Sequence, residues 1–185
     1  MNLQTGGMRM RRRFVIEAVM IATYGHLLVP GRPVDYVVPY SSIMELYDMS
    51  ESEEPVMEDP TEDKHVKAQI GELIAFFQDP LNRKKIERAL QMPWRESSPL
   101  LLNELISFTV VLAVDNEQYG ELFDPIETEQ ILTAARLQVP MLSDQIDLQD
   151  RIIEAAVPVQ IYDIEDFDFA VEEGITEVDW EVSRD

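Results

Sequence analysis

Short, dense apolar runs alternate with longer amphipathic stretches along this chain. Residues 14–28 are almost continuously apolar, which predicts burial on all sides; period alone does not separate a strand from a buried helix there. Phe, Val and Ile cluster at the start of the run, favouring a strand over 13–20 with a helical turn behind it. Pro30-Gly31-Arg32-Pro33 marks a turn. Residues 34–38 read as a short buried strand closed by Pro39. Ser41 and Ser42 are placed to cap a helix carrying Ile43, Met44, Leu46 and Tyr47.

Residues 64–78 carry the clearest helical period, with Val66, Ile70, Leu73, Ile74 and Phe77 on one stripe. Asp79-Pro80 ends it, and Pro80 suits the first turn of a second helix. That helix turns Leu81, Ile86, Ala89 and Leu90 inward and Arg83, Lys84, Lys85 and Arg88 outward. Ser98-Pro99 predicts another helix, burying Leu101, Leu102, Leu105 and Ile106, before a strand over 108–114. Asp124, Pro125 and Glu127 form a capping-box start for a helix through Ile131, Leu132, Ala135 and Leu137. Residues 139–142 read as a strand, Ser143-Asp144 as the cap of a helix reaching 156, and 157–162 as a last strand. Helix–strand–helix–strand is the rhythm of parallel strands joined by crossover helices. The pattern predicts an α/β fold with a central, mainly parallel sheet of four to five strands flanked by helices in three layers. The domain is expected over 13–164, with a flexible basic stretch at 1–12, an acidic loop at 48–63 and an acidic tail at 165–185.

Charge narrows the chemistry. Lys and Arg total 15 against 36 Asp and Glu, a formal net charge of −21. Such a chain repels phosphate backbones and lacks the cations on which general nucleic-acid affinity rests. The absence of cysteine excludes disulfides, thiolate zinc sites, iron–sulfur clusters and thiol catalysis. Two histidines, His26 and His65, leave any zinc site dependent on carboxylates. No glycine-rich phosphate loop and no G-x-S-x-G elbow occur. No apolar stretch is long enough to span a bilayer, so no membrane partner and a cytoplasmic location are expected. Arg11-Arg12-Arg13 before an apolar run has the charge order of an export signal. Glu17 interrupts that run and no small-x-small site is clear, so the arginines read as a lead-in to the first core element.

The acidic loop at 48–63 holds eight acids and no base, without the glycine hinge of an EF-hand, and reads as solvated. The basic face at 83–88 is either a docking point for phosphate or an acidic partner, or a solvated face pairing with that loop. Residues 163–185 hold ten acids and one base around Phe167, Phe169 and Trp180. Those aromatics are candidate partner-binding residues that order on contact; the alternative is a frayed terminus with docked aromatics.

Two local patterns resemble a PIN-type nuclease domain. Val37-Val38-Pro39 followed by Ile43-Met44-Glu45-Leu46 is similar to that family's proline-ended strand and hydrophobic-x-Glu-Leu helix. Leu142-Ser143-Asp144, a helix and Val157-Pro158-Val159 are similar to its Thr/Ser-x-Asp turn and last βα unit. The resemblance implies a carboxylate cluster at the strand ends holding Mg²⁺ or Mn²⁺ that activates water toward phosphate. It maps Glu17 onto the first-strand acid, Glu45 onto the helix acid, Glu127 or Glu129 onto the third, and Asp144 onto the turn acid. Glu17, Glu45 and Asp144 would be the metal ligands. Two departures stand out: the first-strand aspartate is a glutamate here, and Gln145 occupies the position of the turn acid.

Each acid also has a simpler role: Glu127 in the capping box, Asp144 as a helix cap, Glu45 on a helix surface. Glu17 is the odd one, because an acid in a buried apolar run needs a partner or a metal. The substituted acids and the negative charge favour a non-catalytic or degenerate PIN-like module that binds a protein partner. The alternatives are a metal-dependent ribonuclease of PIN type, for which nucleic acid is the substrate, and an acidic regulator that mimics nucleic acid.

Overall fold

The computed structural model describes residues 11–114 and 121–172. Its centre is a six-stranded sheet: β1 (Arg12–Val15), β2 (Val34–Pro39), β3 (Leu100–Leu101), β4 (Ile106–Val111), β5 (Met141–Leu142) and β6 (Ile161–Tyr162), in the order β3-β4-β2-β1-β5-β6. All neighbours are parallel except β3, which pairs antiparallel with β4. Every residue of β2 and β4 is buried, as expected for parallel strands covered on both faces. The fold is thus α/β with a mostly parallel sheet flanked by helices, with six strands where the sequence predicts four to five. The added strand is β3.

Alternate side chains of the central strands feed two cores. Phe14, Ile16, Tyr36, Val38, Phe108 and Val110 face one side. They meet α1 (Ala18–Thr23), α2 (Tyr40–Glu51), α3 (Pro60–Gln78), α4 (Pro80–Ala89) and α7 (Ile164–Glu172), which bring Met20, Leu46, Ile70, Phe77, Ile86 and Phe167. Val15, Val37 and Val111 face the other side, against α5 (Pro125–Leu137) and α6 (Ile146–Glu154) with Ile131, Ala134, Leu148 and Ile152. No helix among the described residues is long and apolar enough to cross a membrane.

Local signals explain most boundaries. Asp59 accepts a hydrogen bond from Glu62 N and starts α3, so the acidic segment narrows to the loop between Glu51 and Pro60. Asp124 and Glu127 form both bonds of the capping box at α5. The α5 helix ends on Gln138 in the left-handed region, φ 53°.

Five sequence expectations change. The strand expected over 13–20 stops at Val15, and helix α1 begins at Ala18. Ser42 does not cap its own helix; its Oγ accepts from Ala18 N at 2.7 Å and fixes the turn between β1 and α1. The helix expected after Ser98-Pro99 is a hairpin. Asn103 Oδ1 accepts from Leu105 N and Ile106 N, closing a tight Asx turn, and Leu101, Leu102 and Leu105 are exposed. Ser143 and Asp144 do not cap α6; Ser143 Oγ accepts from Gln145 N, and Gln145 is the N-cap residue without a side-chain bond. Finally, regular structure runs through residues 165–172: α7 packs Phe167, 1% exposed, against Phe14 and Tyr36 at centroid distances of 5.0 and 6.2 Å. Phe167 is therefore a core residue, whereas Phe169 is 45% exposed. Trp180 lies outside the described residues.

Candidate functional site

Among the parallel strands alone the order is third, second, first, fourth, fifth, counted along the chain. The chain works outward from β1 through β2 to β4, then returns to β1's other side with β5. Open parallel sheets bind ligands outside the carboxyl ends of the strands where that progress reverses. Here that place lies beyond Val15 and Leu142, between the starts of α1 and α6.

Acids gather there. Glu17 follows β1 as the N-cap residue of α1, in extended conformation with φ −74° and ψ 134°, and its side chain makes no capping bond. Its carboxyl is pushed up to about 7, first by burial and then by the charges of Glu45, Asp124 and Asp144; a contact with the Gln130 amide opposes this. Glu45, half-buried on α2, is also raised, by burial and then by Asp124 and Asp48. Asp144, after β5, is exposed and accepts a 2.8 Å hydrogen bond from the Tyr24 hydroxyl. That bond pushes the Tyr24 phenol up to about 12. Glu17, Glu45 and Asp144 therefore share one electrostatic environment. Asp124 belongs to it as well, although the sequence marks it only as a cap.

Glu127 is not part of that cluster's free charge. It is 7% exposed, and Arg151 grips both carboxylate oxygens, Nη1 to Oε1 at 3.0 Å and Nη2 to Oε2 at 2.7 Å. Its Oε1 also accepts from Asp124 N. The guanidinium holds the Glu127 carboxyl below its ordinary value against the opposing effect of burial. Arg151 further donates to Leu122 O and lies 5.3 Å over the Phe123 ring. Glu129, the other reading of the third acid, accepts a hydrogen bond from Ser41 Oγ, tying α5 to the start of α2.

Gln130 completes the picture. It is 1% exposed, and among the described residues its Nε2 is a buried side-chain atom with no hydrogen-bond partner, although the amide lies beside Glu17. An orphaned buried donor costs about 1–3 kcal/mol. The donor set of Glu17, Glu45, Asp124 and Asp144 suits a hard cation. Its spacing does not: no group of three His, Asp or Glu side chains among the described residues stands close enough to hold one ion.

A second polar cluster is absent from the sequence-based candidates. Asp35, 1% exposed in the middle of β2, accepts from Arg13 Nε (2.9 Å), Ser107 Oγ (2.8 Å) and Thr109 Oγ1 (2.9 Å). Arg13 also reaches Glu96. A cleft of about 430 Å³ opens over these groups, lined by Arg11, Arg13, Asp35, Glu96, Ser97 and Thr109. The signal that finds Asp35 is the one that singles out Glu17, an acid inside an apolar run. No protein-family model, curated protein or solved structure matches the chain.

Proposed function

We propose that this chain is a degenerate PIN-like domain that works by binding a protein partner, with the acid-lined carboxyl end of its sheet as the docking face for a basic segment. The fate of Glu127 carries this reading. Glu127, one of the two residues that match the third acid of such a nuclease, is instead bound through both oxygens by Arg151 and built into a helix cap, and Glu129, the other, accepts from Ser41 Oγ. Gln145, standing where the turn acid is expected, points the same way. What remains at the site is a set of carboxylates with unmet demand for positive charge: Glu17 raised to about 7, with Glu45, Asp124 and Asp144 near it. A Lys or Arg side chain from a partner would relieve that repulsion, and the net charge of −21 would steer it in.

The test is calorimetric titration of the full chain with an octa-lysine peptide. Binding that weakens with salt, and weakens at least several-fold in Glu17→Gln/Glu45→Gln, supports the proposal. Binding indifferent to both substitutions defeats it. The like charges of Glu45 and Asp144 acting on Glu17 favour one second reading, a Mg²⁺- or Mn²⁺-dependent ribonuclease. That reading requires the carboxylates to draw closer than they stand here. Thermal stabilisation by millimolar Mn²⁺, together with cleavage of single-stranded RNA lost in Glu17→Gln, would establish it over the binding role.

A further inference from the structure

Three elements meet beside Glu17. Ser41, at the start of α2, donates to Glu129 on α5, and the next residue, Ser42, accepts from Ala18 N at 2.7 Å. Gln130 follows Glu129 and Ala18 follows Glu17. These two bonds hold together the segments that carry Gln130 and Glu17, whose amide and carboxyl lie side by side. The two groups differ in what they lack. The charges acting on Glu17, from Glu45, Asp124 and Asp144, are all negative. Gln130 is 1% exposed, and among the described residues its Nε2 has no hydrogen-bond partner. An amide nitrogen carries two N–H donors, so even a bond to Glu17 would leave one of them open. Buried polar groups in folded proteins are matched as a rule, and an exception calls for a reason. This site lacks an acceptor as well as a cation.

We propose that the acid-lined face takes the free amino terminus of its partner, with the α-ammonium against Glu17 and the carbonyl of the first residue accepting from Gln130 Nε2. The inference rests on the docking role proposed above and narrows it from a basic segment to a chain end. Lys and Arg side chains bring donors and no acceptor. Either would relieve the carboxylates and leave Gln130 as it is. Protonated histidine donates from both ring nitrogens and does no better. Among the cations of an unmodified polypeptide, the amino terminus is the one with an acceptor a single Cα away from its charge. It is also slender, with no residue before it. That suits entry past Glu17, which is partly exposed, to an amide that is not. Capture of an N-terminal amine is a recurrent mode of peptide recognition.

Calorimetry of the full chain with two charge-matched peptides tests this. One has a free amino terminus, two glycines and seven lysines. The other is acetylated and has two glycines and eight lysines. Both end in an amide, so they carry the same positive charge. The free-amine peptide is expected to bind several-fold tighter, and Gln130→Met, which keeps the shape and removes the donors, is expected to abolish the difference. In the parent protein the Gln130 side-chain amide resonance should move with the free-amine peptide and stay in place with the acetylated one, a readout that does not depend on the variant folding. Equal affinities of the parent for both peptides overturn the proposal, as does a preference that persists in folded Gln130→Met. Equal binding that still weakens with salt and in Glu17→Gln/Glu45→Gln removes this inference and leaves the docking face standing. Binding of neither peptide removes both.

Discussion

Replacing Glu17 by Gln should stabilise this protein at neutral and alkaline pH and leave it unchanged in acid. The folded carboxyl sits at about 7 against an ordinary 4.5, so the native state holds its proton more tightly than the unfolded chain does. Stability is then full below about 4.5, falls as pH rises through 7, and levels off above. At 1.36 kcal/mol per unit the shift corresponds to roughly 3 kcal/mol at most. Glu17 is only partly buried, and solvent screening brings the expected gain to about 1–2 kcal/mol. Urea unfolding at pH 4.5 and pH 8 measures it: Glu17→Gln should raise the midpoint at pH 8 without changing the slope, and match the parent at pH 4.5. Glu45→Gln should act in the same direction, and the double variant should gain less than the sum, because each charge contributes to the other's cost. A Glu17→Gln variant less stable than the parent at pH 8, or equally shifted at both pH values, would refute the idea of an unrelieved carboxylate cluster.

Three further outcomes follow from the same geometry, each read by urea unfolding. Arg151→Ala leaves the buried Glu127 carboxylate without its cation and should cost about 2–4 kcal/mol, whereas Arg83→Ala, on an exposed pair 3.9 Å apart, should stay within about 0.5 kcal/mol. Asp35→Ala leaves the buried Ser107 and Thr109 hydroxyls without their acceptor and Arg13 with Glu96 alone, and should cost about 3 kcal/mol. Asp124→Ala removes the capping bond to Glu127 N and should cost about 1 kcal/mol, partly offset above pH 7 by relief of Glu17.

Much of the architecture was legible in the sequence because its signals are local. The capping box at Asp124, the proline starts of α4 and α5, and the apolar strands β2 and β4 each follow from a few adjacent residues. The failures share a cause. Leucines at 101, 102 and 105 fit a helical stripe, but Asn103 offers its side chain to two backbone donors and the chain turns back instead. The run from Phe14 switches from strand to helix at Glu17 because Ser42, distant in sequence, accepts the Ala18 amide. At the site, Glu17, Glu45 and Asp144 were identifiable by residue type, but the commitment of Glu127 to Arg151 depends on how α5 and α6 pack. Nothing in either segment alone reveals it.

The two acids embedded in apolar segments, Asp35 and Glu17, make an internal comparison. Asp35 is the more deeply buried, yet it meets a guanidinium and two hydroxyls. Glu17 is better exposed to water, yet the charges of three other acids act on it and only the Gln130 amide opposes them. The same fold thus supplies full compensation at mid-strand and withholds it at the carboxyl end of β1. The deficit is local to the point where the strand order reverses, the place where sheets of this kind receive ligands. Positive charge brought from outside removes it; positive charge from within would have removed it at the cost of the site. Arg151, one helix turn from Asp147 and within reach of Glu127, shows that this chain places a cation near α5 when it neutralises an acid permanently. Glu17, Glu45 and Asp144 receive none from the described residues, which is why the carboxyl end, and not the Asp35 cleft, is the face expected to bind.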